Sequence, residues 1–216
     1  MQSTLKFLSA LKKNNNREWF EANKEKYLAS KAETEVLLDK LIAGLIKFDK
    51  RISKDLIGKD YIFRIYKDVR FSKDKIPYKT NMGASISPGG RKTVIPGYYI
   101  HVEPNNCFLA GGLYGPEPDM LKAVRQEIDY NGAKFVKVLK SKPFSNYYKG
   151  LDDWDVLKTV PKGFDKENKY LEFLKNRHFI VSTKIKDKDL ENPAKLLAAF
   201  KAMYPFLEYL RQATEK

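Results

Sequence analysis

The stretch GYYIHVEPNNCFLAGGL, residues 97–113, decides the fold class. Apolar residues alternate with other residues on both sides of Pro104-Asn105-Asn106, and a period of two is typical of strands that bury one face. Proline and asparagine favour a turn, so residues 97–103 and 107–113 are predicted to be strands joined as a hairpin. Strands connected by so short a link cannot be parallel, and this part of the sheet is therefore predicted to be antiparallel.

Three further segments have the composition of strands: residues 62–71, 83–87 and 179–183. The turn residues Pro88-Gly89-Gly90 follow the second of them, where a chain reversal is needed. The pair Gly111-Gly112 weakens the end of its own predicted strand. It predicts either a bulge or a place where another backbone or a ligand comes close.

Helical patterns lie before and after these strands. Leucines spaced by three between residues 5 and 11 predict a first short helix, and Asn15 with Glu18 resembles a capping box for a second helical segment that extends to about Phe48, with or without a break. A helix follows Pro118, and the C-terminal helix at residues 193–213 is predicted to kink or split at Pro205. The order predicts an α+β fold with one domain over residues 1–216, in which N-terminal helices, a central mainly antiparallel sheet and C-terminal helices pack together.

The composition is that of one folded domain outside the membrane. A length of 216 residues suits a single core, and 43% hydrophobic with 13% aromatic residues exclude a disordered chain. No apolar run approaches about 18 residues, so no membrane span is predicted, and the N-terminus lacks the features of a signal peptide. The single cysteine, Cys107, excludes an internal disulfide and predicts a cytoplasmic location, with the thiol buried among apolar neighbours.

The chain is strongly basic, with 41 lysines and arginines against 27 acidic residues and a net charge of +14. This charge makes nucleic acid a possible partner. Eight of the cations are arginines, and the lysines are spread from end to end among acidic residues. Such a pattern is more typical of a solvated surface than of a phosphate-binding groove. Nucleic acid is therefore kept as the less favoured partner.

The sequence RIYKDVRFSKDKIPYKT, residues 64–80, concentrates charge on one short segment. If residues 62–71 form a strand, alternation divides its side chains between two faces. The core face would carry Phe63, Ile65, Val69 and Phe71, and the opposite face Arg64, Tyr66, Asp68 and Arg70. An aspartate between two arginines can orient one guanidinium while other donors stay available to a ligand.

A second polar face is predicted on residues 97–103, where Tyr99, His101 and Glu103 point away from the apolar side chains. If both polar faces lie on the same side of one sheet, they form a pocket for a phosphate, carboxylate or sulfate group. Binding of a small anionic or phosphorylated ligand is therefore the first function that we predict. The candidate ligand-binding residues are Arg64, Asp68, Arg70, Asp74, Lys75, Tyr78, Lys79, Tyr99 and His101.

Two alternatives use the same residues differently. In an enzyme, His101 would act as general acid or base while Arg64, Arg70 and Lys75 hold an anion. In a scaffold, the arginine–aspartate row would be an internal ion-pair network without a ligand. Two histidines and one cysteine predict no metal site, and the lack of a cofactor-binding motif predicts no cofactor. The ligand's identity, any reaction and the oligomeric state stay open at this point.

The charged stretch resembles the signature of a bacterial family known as the domain of unknown function 2461, approximately R-x-x-R-D-x-R-F-x-x-[D/N]-K-x-x-Y. The matching residues are Arg64, Asp68, Arg70, Phe71, Asp74, Lys75 and Tyr78. Lys67 stands where the pattern has arginine, which keeps the charge but loses the planar fork. Residues 15–20, 97–101 and 161–163 are also similar to the family, so the resemblance covers nearly the whole chain. It implies one coherent fold and an important motif, and it implies no reaction.

Overall fold

The computed structural model describes residues 1–68, 70, 75–91 and 93–215. Within them the chain begins with helices, forms a four-stranded sheet and ends in helices, so the α+β prediction is confirmed. The helices are α1 (Gln2–Lys13), α2 (Arg17–Ala22), α3 (Lys24–Leu45), α4 (Pro118–Lys140), α5 (Lys142–Ser145), α6 (Leu171–Leu174) and α7 (Pro193–Thr214). The strands are β1 (Met82–Ile86), β2 (Gly97–Val102), β3 (Phe108–Leu113) and β4 (Phe179–Lys184).

The sheet has the order β1-β2-β3-β4, and each neighbouring pair is antiparallel. The predicted hairpin is formed by β2 and β3, and its turn contains Asn105 with a φ of 61°. Asparagine tolerates this left-handed conformation better than most residues, which explains its place in the turn. The segments predicted at residues 83–87, 97–103, 107–113 and 179–183 begin and end within one residue of these four strands.

For the described residues 62–68 and 70, the prediction of a strand is wrong. The described part of this segment makes isolated bridges at Ile62 and Tyr66 and no continuous ladder. Its first residues lie against the edge of β1, where the Phe63 amide donates to the Gly83 carbonyl at 2.9 Å. Beyond Phe63 the chain leaves the sheet, so the division of side chains between two faces ends there.

The segment leaves β1 because it pairs with its own continuation. The Lys79 amide donates to the Ile65 carbonyl at 2.8 Å, and the Lys67 amide donates to the Pro77 carbonyl at 2.9 Å. These bonds satisfy backbone groups that would otherwise need a partner strand. Ile65 is buried as predicted, whereas Phe63 is 37% exposed. Outside the described residues lie Val69 and Phe71.

The two faces of the sheet have different neighbours. Tyr98, Ile100 and Val102 of β2 are buried in the hydrophobic core, on the side where α3 and α7 pack. Helix α7 supplies much of that core through Leu196, Phe200, Met203, Phe206, Leu207 and Leu210. Tyr99 and His101 alternate with the buried residues and face the other side. That side carries a cleft whose lining residues come from strands and loops.

The start of the second helix differs by one residue from the prediction. Asn16, and not Asn15, caps α2, because its side-chain oxygen accepts a hydrogen bond from the Trp19 amide at 2.8 Å. Asn15 instead pairs with the backbone of Tyr78. Its Nδ2 donates to the Tyr78 carbonyl at 3.0 Å, and its Oδ1 accepts from the Tyr78 amide at 3.1 Å. This contact joins the N-terminal helices to the charged stretch.

Helix α7 continues through Pro205, so the predicted split does not occur. An interior proline removes an amide donor and costs about 3 kcal/mol. Buried side chains on both sides of the proline, among them Met203 and Phe206, hold the helix in the hydrophobic core. Their burial offsets the cost.

The pair Gly111-Gly112 marks a close backbone approach, one of the two predicted alternatives. Gly112 has a φ of 135°, and a Cβ atom at this position would collide with the Phe179 carbonyl oxygen of β4. A larger residue is therefore excluded at the point where β3 pairs with β4.

In the part of the chain that the structure describes, no helix has both the length and the apolar composition to cross a membrane.

Candidate functional site

Small side chains on both sides of Tyr99 form the floor of the sheet's open face. The strand register places Ser85 beside Tyr99, Tyr99 beside Ala110, and Ala110 beside Ser182, in a row across all four strands. Serine and alanine leave space that larger residues would fill. The result is a cleft of about 710 Å³ above this floor.

The walls of the cleft combine aromatic rings with a few charged groups. The aromatic side chains include Phe63, Tyr99, Phe108, Tyr114 and Trp154, and the charged residues among the described lining are Arg91, Asp152 and Lys184. The Tyr114 side chain is 69% exposed and that of Trp154 is 55% exposed, and their ring centroids are 6.0 Å apart. Two adjacent exposed rings form an apolar surface of the kind that binds ligands or partners.

Tyr114 and Trp154 of the cleft wall form a ring stack with His178, which lies outside the lining. The imidazole of His178 lies 4.4 Å from the Trp154 ring and 5.0 Å from the Tyr114 ring, at interplanar angles of 22° and 19°. The Gly115 amide donates to His178 Nδ1 at 2.8 Å, which places the ring proton on Nε2. Nε2 in turn donates to Asp155 Oδ2 at 3.0 Å. These two hydrogen bonds fix the orientation of the stack.

Asp152 is the acidic group of the cleft. The Ser182 hydroxyl donates to its Oδ1 at 3.1 Å, and its own amide donates to the Ile180 carbonyl at 2.8 Å, which holds the residue beside β4. Burial raises the pKa of this carboxyl, and the hydrogen bond from Ser182 only partly opposes the increase. Asp152 therefore holds a proton to a higher pH than a surface aspartate does.

Among the predicted site residues that the structure describes, Tyr99 lines the cleft. Burial raises its pKa to about 12, so the hydroxyl keeps its proton at neutral pH. The hydroxyl lies 3.0 Å from Nδ1 of His101, and the Asn81 side-chain amide donates to the same nitrogen at 3.3 Å. Because Nδ1 accepts from Asn81, it also accepts from Tyr99, and the tyrosine hydroxyl is the donor.

His101 lies beyond the cleft lining, and both of its ring nitrogens have partners. Its ring stacks on Phe108 with centroids 4.5 Å apart, and Nε2 lies 3.4 Å from Glu103 Oε2. Burial lowers the pKa of His101 and the Glu103 carboxylate partly opposes this, so the imidazole is uncharged at neutral pH. These contacts favour a role in holding Tyr99 over the acid–base role that the sequence suggests.

Lys79 of the charged stretch lies beside Phe63 at the β1 edge of the cleft. The Lys79 ammonium is 5.8 Å from the centroid of the Phe63 ring, and this ring lines the cleft. Partial burial lowers the pKa of Lys79, and the Arg64 guanidinium lowers it further. Like charges are therefore held together beside an aromatic wall.

Asp68 and Arg70 lie away from the cleft lining. Arg70 Nε donates to Asp68 Oδ1 at 2.9 Å and Nη2 donates to Oδ2 at 2.6 Å, while the arginine side chain is 77% exposed. This pair does not share a sheet face with Tyr99, because the segment leaves β1 after Phe63. Lys75 is also exposed and outside the cleft lining. The predicted site residue Asp74 falls outside the described residues.

Tyr78 is a core residue. It is buried, and its ring stacks on Phe20 with centroids 4.0 Å apart and an interplanar angle of 14°. Burial raises the pKa of its hydroxyl. Together with the backbone pairing to Asn15, this stack anchors the charged stretch to α2. A ligand contact, which the sequence suggests for Tyr78, has no support in these surroundings.

Sequence reasoning missed most of the cleft. Asp152, Trp154 and Ser182 lie far along the chain from β2 and reach the floor because β4 is the outer neighbour of β3. Alternation within one segment cannot reveal that order. The available signal was the run Asp152-Asp153-Trp154-Asp155, where a tryptophan between acidic residues is unusual for a core position.

Among the described residues, the cleft lining offers hydroxyls, cations, the Asn106 amide and one carboxyl. Within the described ranges there is no group of three or more histidine, cysteine or acidic side chains that could hold a metal ion. Cys107 is buried as predicted, and burial raises the pKa of its thiol to about 12. At neutral pH this thiol does not form the thiolate that a nucleophile requires.

A family model described as "Conserved hypothetical protein (DUF2461)" matches residues 3–209, which is nearly the whole chain. No curated protein and no solved structure matches the chain. The family description states no activity, so the geometry of the cleft is the basis for a functional assignment.

Proposed function

The chain belongs to the DUF2461 family of conserved hypothetical proteins, and we propose from its site that it binds a small ligand with an apolar or aromatic body and an anionic group. The binding site is the cleft on the open face of the sheet. The main support is a cleft of about 710 Å³ that combines aromatic walls with cations from both edges of the sheet.

The size and lining of the cleft support a small molecule. Ligand pockets generally measure about 300–1,000 Å³ and have mostly apolar walls with a few placed polar groups. Here the rings of Phe63, Tyr99 and Trp154 supply apolar surface, and Ser85 and Ser182 supply hydroxyls from the floor. A ligand with a planar body would stack against the rings.

The cationic side chains of the cleft favour a ligand that carries a negative charge. Arg91 donates to the Ile62 carbonyl through Nη1, and its other guanidinium nitrogens have no hydrogen-bond partner among the described residues. Lys184, at the opposite edge of the sheet, makes no ion pair within the described part of the chain. Arg64 and Lys79 add positive charge beside Phe63. An anion would compensate these charges and take hydrogen bonds from the guanidinium fork.

The test uses two aromatic probes of similar shape, the anion benzenesulfonate and the neutral benzenesulfonamide. We expect benzenesulfonate to shift the amide NMR signals of Tyr99 and Ser182 in a saturable way, and the sulfonamide to bind more weakly. Lys184→Ala should weaken benzenesulfonate binding roughly tenfold, which corresponds to about 1.4 kcal/mol. Ser85→Leu should abolish binding, because the larger side chain fills the floor of the cleft.

Lys166→Ala is the matched control, since Lys166 is exposed and does not line the cleft. It should bind benzenesulfonate as the unchanged protein does. Equal affinity for the two probes would contradict an anionic ligand. Unchanged binding in both Lys184→Ala and Ser85→Leu would contradict the cleft as the site.

Because of Asp152, the affinity of the cleft for an anion should increase as the pH falls. Burial raises its pKa, so the carboxyl becomes negatively charged only above this raised value and then repels an anion in the same cleft. Benzenesulfonate stays anionic throughout, and its affinity should therefore rise as the pH falls through the raised pKa of Asp152. Asp152→Asn should flatten the profile. A flat profile in the unchanged protein would exclude Asp152 from the ligand's surroundings.

Nucleic acid is the rival that the net charge of +14 favours. Binding of that kind weakens steeply with salt, because phosphate neutralisation releases counterions. We expect short DNA and RNA strands to bind weakly at low salt and to leave the signals of Tyr99 and Ser182 unchanged. Salt-sensitive binding that shifts these two signals would favour nucleic acid over a small ligand.

We also propose a cytoplasmic location. The chain has a single cysteine, Cys107, and its thiol is buried and free, which is compatible with a reducing compartment. Cell fractionation with an antibody to the protein would test this, and recovery from the medium or the periplasm would contradict it.

A further inference from the structure

A second pocket is lined by His178, whose ring stacks on Tyr114 and Trp154 of the cleft wall. It measures about 440 Å³ and is bordered by Gly115, Asp155, His178 and two arginines, Arg125 and Arg177. The chain has only eight arginines, so two at one small pocket are a notable concentration of positive charge. The proposed ligand cleft does not include either of them.

The guanidinium of Arg125 is only partly satisfied by the protein. Arg125 extends from α4, and its Nη2 donates to the Asn176 carbonyl at 3.0 Å. Its Nε is buried and has no hydrogen-bond partner among the described residues. Burial lowers the pKa of Arg125, and the positive charge of Arg177 lowers it further. A buried donor without an acceptor, next to a like charge, is unfavourable unless something else compensates it.

The one carboxylate of the pocket is already engaged. Asp155 accepts a hydrogen bond from His178 Nε2 at 3.0 Å and lies 3.7 Å from Arg177 Nε. His178 uses its other ring nitrogen to accept from the Gly115 amide. No acidic side chain within the described residues forms an ion pair with Arg125. The pocket therefore has an excess of positive charge.

We propose that this pocket binds a tetrahedral oxyanion, a phosphate or sulfate group, between the guanidinium groups of Arg125 and Arg177. Each guanidinium keeps donors that its protein partners do not use, and the anion would compensate the positive charge that Asp155 leaves unbalanced. Asp155 forms an ion pair with Arg177. His178, fixed in the ring stack, orients Asp155 through a hydrogen bond. The site is independent of the cleft ligand proposed above.

Inorganic phosphate is the probe, titrated at low ionic strength and about pH 8, where it is mainly a dianion. We expect saturable shifts of the amide signals of Gly115 and His178, and a melting temperature that rises with phosphate because only the folded protein binds it. Potassium chloride of equal ionic strength should produce neither effect. This comparison separates a specific site from general screening of the basic surface.

Two variants test the arginines. Arg177→Gln should weaken phosphate binding at least tenfold, and because Arg177 is about half exposed this variant should fold. Arg125→Lys keeps the charge but removes the fork, and it should weaken binding to a similar extent. Arg17→Gln, which changes an exposed arginine remote from the pocket lining, should leave phosphate binding unchanged.

Phenyl phosphate, titrated into Ser85→Leu so that the proposed cleft cannot bind it, distinguishes the two sources of the anion. Tighter binding than inorganic phosphate would identify the phosphoryl group of a larger molecule, and equal binding would identify free phosphate. The proposal is overturned if phosphate causes no saturable shift at Gly115 and His178, or if Arg177→Gln binds it as well as the unchanged protein. Ser85→Leu should leave phosphate binding intact, so failure of the cleft proposal would be visible separately.

Discussion

Two aspartate–arginine pairs occupy opposite environments in this molecule. Asp49 and Arg211 are completely buried, and Arg211 Nη1 donates to Asp49 Oδ2 at 2.8 Å. Asp68 and Arg70 make a two-point contact at 2.6 and 2.9 Å, yet their side chains are 42% and 77% exposed. Contact geometry alone would rank the second pair as the stronger. The surroundings reverse that order, because water solvates and screens exposed charges.

The buried pair connects three elements of the core. Asp49 follows the end of α3, Tyr98 lies on β2, and Arg211 lies near the end of α7. The Tyr98 hydroxyl donates to Asp49 Oδ2 at 2.9 Å, and Arg211 Nε donates to the Pro96 carbonyl at 2.9 Å. Removing charges from water is costly, so such a pair stabilises the fold only while both partners are present.

The largest expected effect follows from breaking the buried pair. Arg211→Met keeps most of the side-chain volume but leaves the Asp49 carboxylate buried without its cation. We expect the free energy of unfolding to fall by about 3–5 kcal/mol, measured by urea denaturation. Lys201→Met, at an exposed position of the same helix, is the control and should change stability little. A loss below about 1 kcal/mol for Arg211→Met would mean that the buried pair is not a structural requirement.

A double variant distinguishes the loss of the Arg211 contact from the effect of an uncompensated charge on Asp49. In Arg211→Met combined with Asp49→Asn, the neutral amide oxygen can still accept from the Tyr98 hydroxyl, while the uncompensated charge is gone. We therefore expect the double variant to be more stable than Arg211→Met alone by about 1–3 kcal/mol. Urea denaturation of both proteins in one buffer measures the difference. Simple additivity of two losses would show that the charge is not what makes the single variant unstable.

Glu33 is an intermediate case between the two pairs. Its side chain is 28% exposed, it accepts from the Thr4 hydroxyl at 2.6 Å, and it pairs with the amino group of Met1 at 2.7 Å. Burial alone would raise its pKa, but hydrogen bonds from these groups and from Ser3 lower it to about 2. Because the folded pKa is below the ordinary value of 4.5, Glu33 stabilises the fold above that pH and loses this effect as the pH falls towards 2.

The corresponding variant is Glu33→Gln. We expect it to lower the free energy of unfolding by on the order of 1 kcal/mol near neutral pH, since a partly exposed group is screened by solvent. The difference from the unchanged protein should shrink between about pH 5 and pH 2. Urea denaturation across this range measures it. A difference that stays constant as the pH falls would exclude ionisation of Glu33 as the cause.

The sheet was predictable because its signals are local. Residues 97–113 contain both the alternation and the turn that define β2 and β3, and the ends of β1 and β4 follow from similar patterns. The charged stretch has the same alternation around Ile65, but its backbone pairs with residues 77–79 instead of extending along β1. Alternation shows that a segment can be a strand, and it does not identify the partner.

The site was less predictable because its residues meet only through the tertiary fold. Tyr99 was found from the alternation within β2, and it lines the cleft. Asp152 and Lys184 reach the same cleft from distant parts of the chain. The buried partners Asp49 and Arg211 are also distant in sequence, whereas Asp68 and Arg70 stand two positions apart in a conspicuous motif. Sequence reasoning therefore favoured the exposed pair over the buried one.

The smallest expected effect is that of Arg70→Ala. Because Asp68 and Arg70 are exposed and share a screened contact, losing the arginine leaves a carboxylate that water can solvate. We expect the urea midpoint to stay close to that of the unchanged protein, and far above that of Arg211→Met. The folded variant should also bind benzenesulfonate normally, since Arg70 does not line the cleft. A midpoint as low as that of Arg211→Met would make the motif a scaffold. Normal stability with lost benzenesulfonate binding would instead place the charged stretch in the path of the ligand.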